Sequence, residues 1–69
     1  MKQIAIDTEF LKLGQLLKLA DCIESGGQAK AFLEETRIHV NGQLEDRRGR
    51  KLVKGDKILI EGYGEFEIV

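Results

Sequence analysis

The chain contains one cysteine, Cys22, and one histidine, His39. A lone thiol cannot close an internal disulfide, and together with one distant imidazole it falls short of the four ligands that a zinc site needs. Cys22 therefore reads as a small buried apolar residue. No apolar run is long enough to cross a bilayer. Met1 to Ile6 reaches Asp7 before any stretch with the make-up of a signal sequence, so a cytoplasmic chain is expected. Aromatic residues are scarce, and Phe10, Phe32 and Phe66 fall at core positions, leaving only Tyr63 for the surface. This leaves no stacking platform for the bases of a single strand. No serine has a plausible histidine and acid in context, and no pair of carboxylates suggests a cleft, so neither an enzyme nor a cofactor is expected.

Sixty-nine residues, 42% hydrophobic and 33% charged, have the composition of a folded protein. A chain of this size buries roughly 60% of its unfolded surface. One domain, residues 1–69, with one modest core is the expectation. The formal charge of −1 excludes binding by bulk positive charge. The distribution is uneven, however. Arg47, Arg48, Arg50, Lys51, Lys54 and Lys57 face only Asp56 in their stretch, a local excess of five positive charges. Glu34 and Glu35, and Glu61, Glu65 and Glu67, sit elsewhere, so a basic side and an acidic side are expected.

Ile4 and Ile6 alternate with polar or small neighbours and predict a short first strand. Thr8 then suits a helix cap, with Glu9 against the positive end of the helix dipole. Phe10, Leu13, Leu16, Leu17 and Ala20 form the apolar stripe of that helix, opposite Lys12, Gln15 and Lys18, and Gly14 permits a close approach. Ser25-Gly26-Gly27-Gln28 has the spacing of a capping box and predicts a second helix. Ala29, Phe32 and Leu33 are its buried face, and Lys30 and Glu34 can pair outside. Ile38-His39-Val40 alternates as a strand, with Arg37 and His39 outward. Asn41-Gly42 predicts a type I′ hairpin, because both positions tolerate positive φ. Gln43 to Glu45 returns, and Asp46 to Lys51 is a charged loop. After a turn at Lys54-Gly55-Asp56, two further strands follow, with Ile58, Ile60, Phe66 and Ile68 inward. The fold class is α+β: two N-terminal helices on a small, mainly antiparallel sheet.

The order Lys12-Leu13, Ser25 with Gln28-Ala29-Lys30, Ile38-x-Val40-Asn41-Gly42 and Lys54-Gly55-Asp56 resembles the alpha-L RNA-binding motif, also called the S-four domain. The resemblance is strongest over residues 12–61. Ser25 to Lys30 and Arg47 to Leu52 are similar to the S-G-G-x-A-K and R-R-G-R-K-L features of stand-alone bacterial proteins of the YaaA-like branch. Where many members have arginine after the serine this chain has Gly26, and where many close the second helix with glycine it has Thr36. The resemblance implies binding of structured RNA, with ribosomal RNA or a ribosomal particle as the partner and a role in ribosome assembly or translation.

The residues expected to carry this binding are Lys12, Gln15, Ser25, Gly26, Gly27, Gln28, Lys30, Arg37, Arg47, Arg48, Arg50 and Lys51. Guanidinium groups bind phosphate bidentately, and Gly49 lets the backbone bring them close. Gly26 and Gly27 can offer backbone N–H groups at a helix start. A monomer without catalytic, metal or small-molecule site is expected. The competing reading is a β-grasp interaction module that binds no RNA, for which Val40-Asn41-Gly42 and Gly55-Asp56 are equally suited. The closing Glu67-Ile68-Val69 lacks the Gly-Gly of sulfur carriers of that class.

Overall fold

The structure, a computed structural model, describes residues 1–69. Strands β1 (Lys2–Ile4) and β2 (Leu11–Lys12) precede helix α1 (Leu13–Leu19); a 3-10 turn at Gly26–Gln28 leads into α2 (Ala29–Glu35). Five strands follow: β3 (Ile38–Val40), β4 (Gln43–Leu44), β5 (Lys51–Leu52), β6 (Lys57–Ile60) and β7 (Gly64–Ile68). The main sheet runs β1-β7-β6-β3-β4, and β2 and β5 form a separate two-stranded ribbon. Every pair is antiparallel except β1 with β7, so the α+β expectation holds with a mixed sheet. No helix is long and apolar enough to cross a membrane.

The helices lie mid-chain rather than at the N-terminus, and the first starts later than its apolar spacing suggests. Leu11 and Lys12 pair with Leu52 and Lys51, which holds them extended. Thr8 caps nothing helical, since its hydroxyl donates to the carbonyl of Phe10 at 2.9 Å. Glu9 accordingly lies outside the helix. Helix α1 is opened instead by Gln15, whose Oε1 accepts the N–H of Lys12 at 3.1 Å. The same half of a capping box recurs at the second helix. There Gln28 Oε1 accepts from the N–H of Ser25 at 3.0 Å and from that of Glu24 at 2.6 Å. These bonds satisfy donors that a helix start otherwise leaves open.

Period-two alternation puts Ile38, Val40, Ile58, Ile60, Phe66 and Ile68 on the covered face of the sheet, all at most 2% exposed. Helix α1 contributes Leu13, Leu16 and Leu17, and α2 contributes Ala29 and Leu33. Leu11 and Leu52 bring the ribbon into the same core. Each fully buried leucine or isoleucine contributes about 1.5–3 kcal/mol. Phe32 is half-buried and meets the Tyr63 ring edge-on at 5.3 Å. Phe10, also half-buried, has Lys51 Nζ 4.7 Å from its ring centre. Cys22 is half-buried too, and burial pushes its thiol pKa up.

The Asn41-Gly42 turn has φ of 52° and 86°, the two positive angles a type I′ turn needs. Asn41 also ties this turn to the next one. Its Nδ2 donates to Asp56 Oδ1 at 3.0 Å, and its Oδ1 accepts the N–H of Lys57 at 2.9 Å. Asp56 Oδ2 accepts in turn from the N–H of Val53 at 2.8 Å. Two short motifs, each commonplace alone, are thus one hydrogen-bonded unit.

Candidate nucleic-acid interface

The basic loop between β4 and β5 is held at the start of α1. The N–H of Leu13 donates to the carbonyl of Arg50 at 2.8 Å, and that of Gly14 to the carbonyl of Arg48 at 2.9 Å. Helix starts leave such donors without intrahelical partners, and here the loop backbone takes them. A β-carbon on Gly14 would sit 3.4 Å from the Arg48 carbonyl oxygen and 3.5 Å from Arg48 Cβ, which is ordinary contact. Glycine keeps loop and helix close without being sterically obligatory.

The loop is braced from inside by Glu45, whose side chain is only 6% exposed. Arg47 binds it bidentately, Nε to Oε2 at 3.0 Å and Nη2 to Oε1 at 3.1 Å. Arg50 Nη1 donates to Oε1 at 2.8 Å. The N–H groups of Asp46 and Arg47 add bonds to Oε2 at 3.1 and 3.2 Å. The hydrogen bond from the Arg47 side chain, followed by that from Arg50, lowers the carboxyl pKa from 4.5 to about 2 against the opposing effect of burial. The same contact pushes the Arg47 pKa up. A buried carboxylate with five donors is satisfied. Sequence reasoning missed Glu45, although the acidic pair Glu45-Asp46 before Arg47-Arg48-Gly49-Arg50 was the available signal.

Arg47 and Arg50 are therefore set apart from Arg48. Arg48 has no ion-pair partner and lines two grooves. The first, about 330 Å³, is lined by Lys12 at the end of β2, by Gln15 and Lys18 on the exposed face of α1, by Gly14, Gly26 and Gly49, and by Arg48. The second, about 470 Å³, is also lined by Arg48, together with Lys30, Leu33, Glu34 and Asp46. The expected Lys30–Glu34 pair does not form, since both ion pairs in the structure belong to Glu45. Arg47, Gly49, Arg50 and Lys51 surround a third hollow.

Of the twelve residues expected from sequence, Lys12, Gln15, Gly26 and Arg48 line one groove, joined by Lys18. Lys30 lines the second groove together with Arg48. Ser25, Gly27 and Gln28 build the turn that carries Gly26. Arg37 stands apart, at a hollow shared with Glu34, Glu35, Glu45 and Asp46. His39 is half-buried on the outer sheet face between Leu44 and Leu59, and its Nδ1 has no partner. Chemically, the first groove presents three cations and three glycines with no acid. Such a lining suits a phosphate, which gains charge-assisted bonds and needs close backbone approach.

Comparison with known proteins gives a consistent picture. The S4 domain family model matches residues 4–69. The Bacillus subtilis protein named Probable ribosome maturation protein RlbA is 58% identical over 66 residues, covering 96% of this chain and 93% of its own length. An Escherichia coli protein with the provisional name RNA-binding protein YbcJ is 38% identical over 53 residues, covering 77% of this chain and 76% of its own. No solved structure matches significantly.

Proposed function

Because this chain belongs to the S4 domain family, we propose that it binds structured RNA through phosphates seated in the groove between α1, Gly26 and Arg48. One observation carries this reading: Lys12, Lys18 and Arg48 converge there with no acid among the lining residues, although the chain as a whole is at −1. A protein near neutrality binds where its charge is concentrated, and the affinity then rests on few phosphate contacts. Arg48 is the central donor because its guanidinium is not drawn to Glu45. Arg47 and Arg50 keep the loop in shape and present their remaining N–H groups, with Lys51, on the neighbouring hollow. Ser25, Gly27 and Gln28 serve by holding Gly26 in place, while Lys30 extends the surface beyond Arg48 and Arg37 makes a peripheral contact.

Shape and phosphate spacing are read ahead of base sequence in this mode, as expected for helical RNA whose deep groove side chains do not enter. The name of the Bacillus subtilis relative supports a ribosomal setting, and that of the Escherichia coli relative supports RNA binding. We propose ribosomal RNA within a maturing particle as the partner of a cytoplasmic, monomeric domain of residues 1–69, acting by binding and not by catalysis. Crosslinking the protein in cells and sequencing the attached RNA tests this. Ribosomal RNA should be enriched over an Arg48→Glu, Lys12→Glu control, and equal recovery with that control would refute the reading.

A further inference from the structure

The second groove lined by Arg48 differs in kind from the first. Its lining pairs two cations, Lys30 and Arg48, with two carboxylates, Glu34 and Asp46, over the single apolar residue Leu33. Both ion pairs of the structure belong to Glu45, so none of these four side chains is held in an ion pair. Two carboxylates repel a phosphate, so this groove cannot simply continue the first. Opposed charges around an apolar floor suit a neutral, flat ligand with donors on one edge and acceptors on another. Leu33, 8% exposed, offers contact to a ring face.

We infer that this groove receives an unpaired guanine, with Glu34 and Asp46 as the specificity residues. Guanine is the base that offers a carboxylate two adjacent donors, N1–H and the N2 amino group, and a guanidinium two adjacent acceptors, O6 and N7. The other bases offer shorter runs of one kind. Unstacked bases in loops and bulges are open to such edge contacts. The inference rests on the proposed phosphate role of the first groove. Arg48 is the wall common to both grooves, so a backbone held in one places a base of the same strand in the other. Phosphate contacts would position the RNA and this contact would select it.

The test uses the full chain and one stem-loop RNA whose loop is uridine except for one position, filled by guanosine, inosine or adenosine. Affinities are measured by fluorescence anisotropy for the wild type, Glu34→Gln and Asp46→Asn. The guanosine loop should bind about tenfold more tightly than the adenosine loop, since loss of a bidentate base contact has roughly that effect. Inosine lacks the N2 amino group but keeps N1–H, O6 and N7, and should fall between guanosine and adenosine. At least one variant should bind the guanosine and inosine loops alike, with Arg48 still favouring both over the adenosine loop. Equal binding of all three loops by the wild type would overturn the inference and leave the phosphate groove standing. Unaltered guanosine preference in both variants would overturn the assignment to these carboxylates. Absence of binding to every loop would refute both readings together.

Discussion

Glu45 Oε1 accepts a hydrogen bond from Arg50 Nη1 at 2.8 Å, inside a loop whose charge otherwise points outward. Two of the three loop arginines are joined to this carboxylate, and that divides the basic run into residues that shape the loop and residues left free for a partner. The folded chain holds the Glu45 proton less tightly than the unfolded chain does, with a pKa of about 2 against 4.5. The resulting stability is complete above about pH 4.5 and is lost as pH falls through the folded value. It amounts to on the order of 1–3 kcal/mol, discounted because the Arg47 side chain lies largely in solvent.

Glu45→Gln should accordingly lower stability at pH 7 and flatten the acid limb of the stability curve. Urea unfolding of both proteins between pH 7 and pH 2 checks this through their difference. Parallel curves would mean that Glu45 is not the group responsible.

The Asn41–Asp56 bond predicts a coupling across the sheet. Asn41→Ala loses the bonds to Asp56 and Lys57 and, at φ 52°, the side-chain amide that makes asparagine tolerant of the left-handed region, costing about 2 kcal/mol. Asn41→Gly keeps the turn angle and should cost about half as much. A double-mutant cycle with Asp56→Ala should give a coupling of roughly 0.5–1 kcal/mol. Additive losses would show that the two turns are independent.

The space beside Gly26 is open. A β-carbon there meets nothing within 4 Å, and the backbone is outside the left-handed region. Gly26→Arg should fold normally and add one phosphate contact, steepening the slope of log K against log salt by about 0.7–0.9. An unchanged slope would place Gly26 outside the RNA footprint.

The sheet was largely legible because its core positions alternate: Ile58 with Ile60 and Phe66 with Ile68 can be read without knowing their partners. The hairpin at Asn41-Gly42 was legible because its backbone angles restrict the residues allowed. The start of α1 was not, since the pairing of Leu11–Lys12 with Lys51–Leu52 joins distant segments and overrides local helical spacing. Likewise Lys12 and Lys18 could be assigned to one face, but not to the face that meets Arg48. The role of Glu45 was hidden because an acid beside arginines usually reads as a solvated surface. Only the folded loop shows which guanidinium groups turn back toward it and which one does not.

That distinction is the centre of the account, and salt dependence measures it most directly. Binding of a structured ribosomal RNA fragment should be followed from about 50 to 200 mM salt, a range over which phosphate contacts dominate the change in affinity. Arg48→Ala should weaken binding at every salt concentration and make the slope shallower by about 0.7–0.9, the loss of one phosphate contact. Thermal stability should be little changed, because the Arg48 side chain braces no carboxylate. An Arg48→Ala slope identical to that of the wild type would contradict the proposed groove.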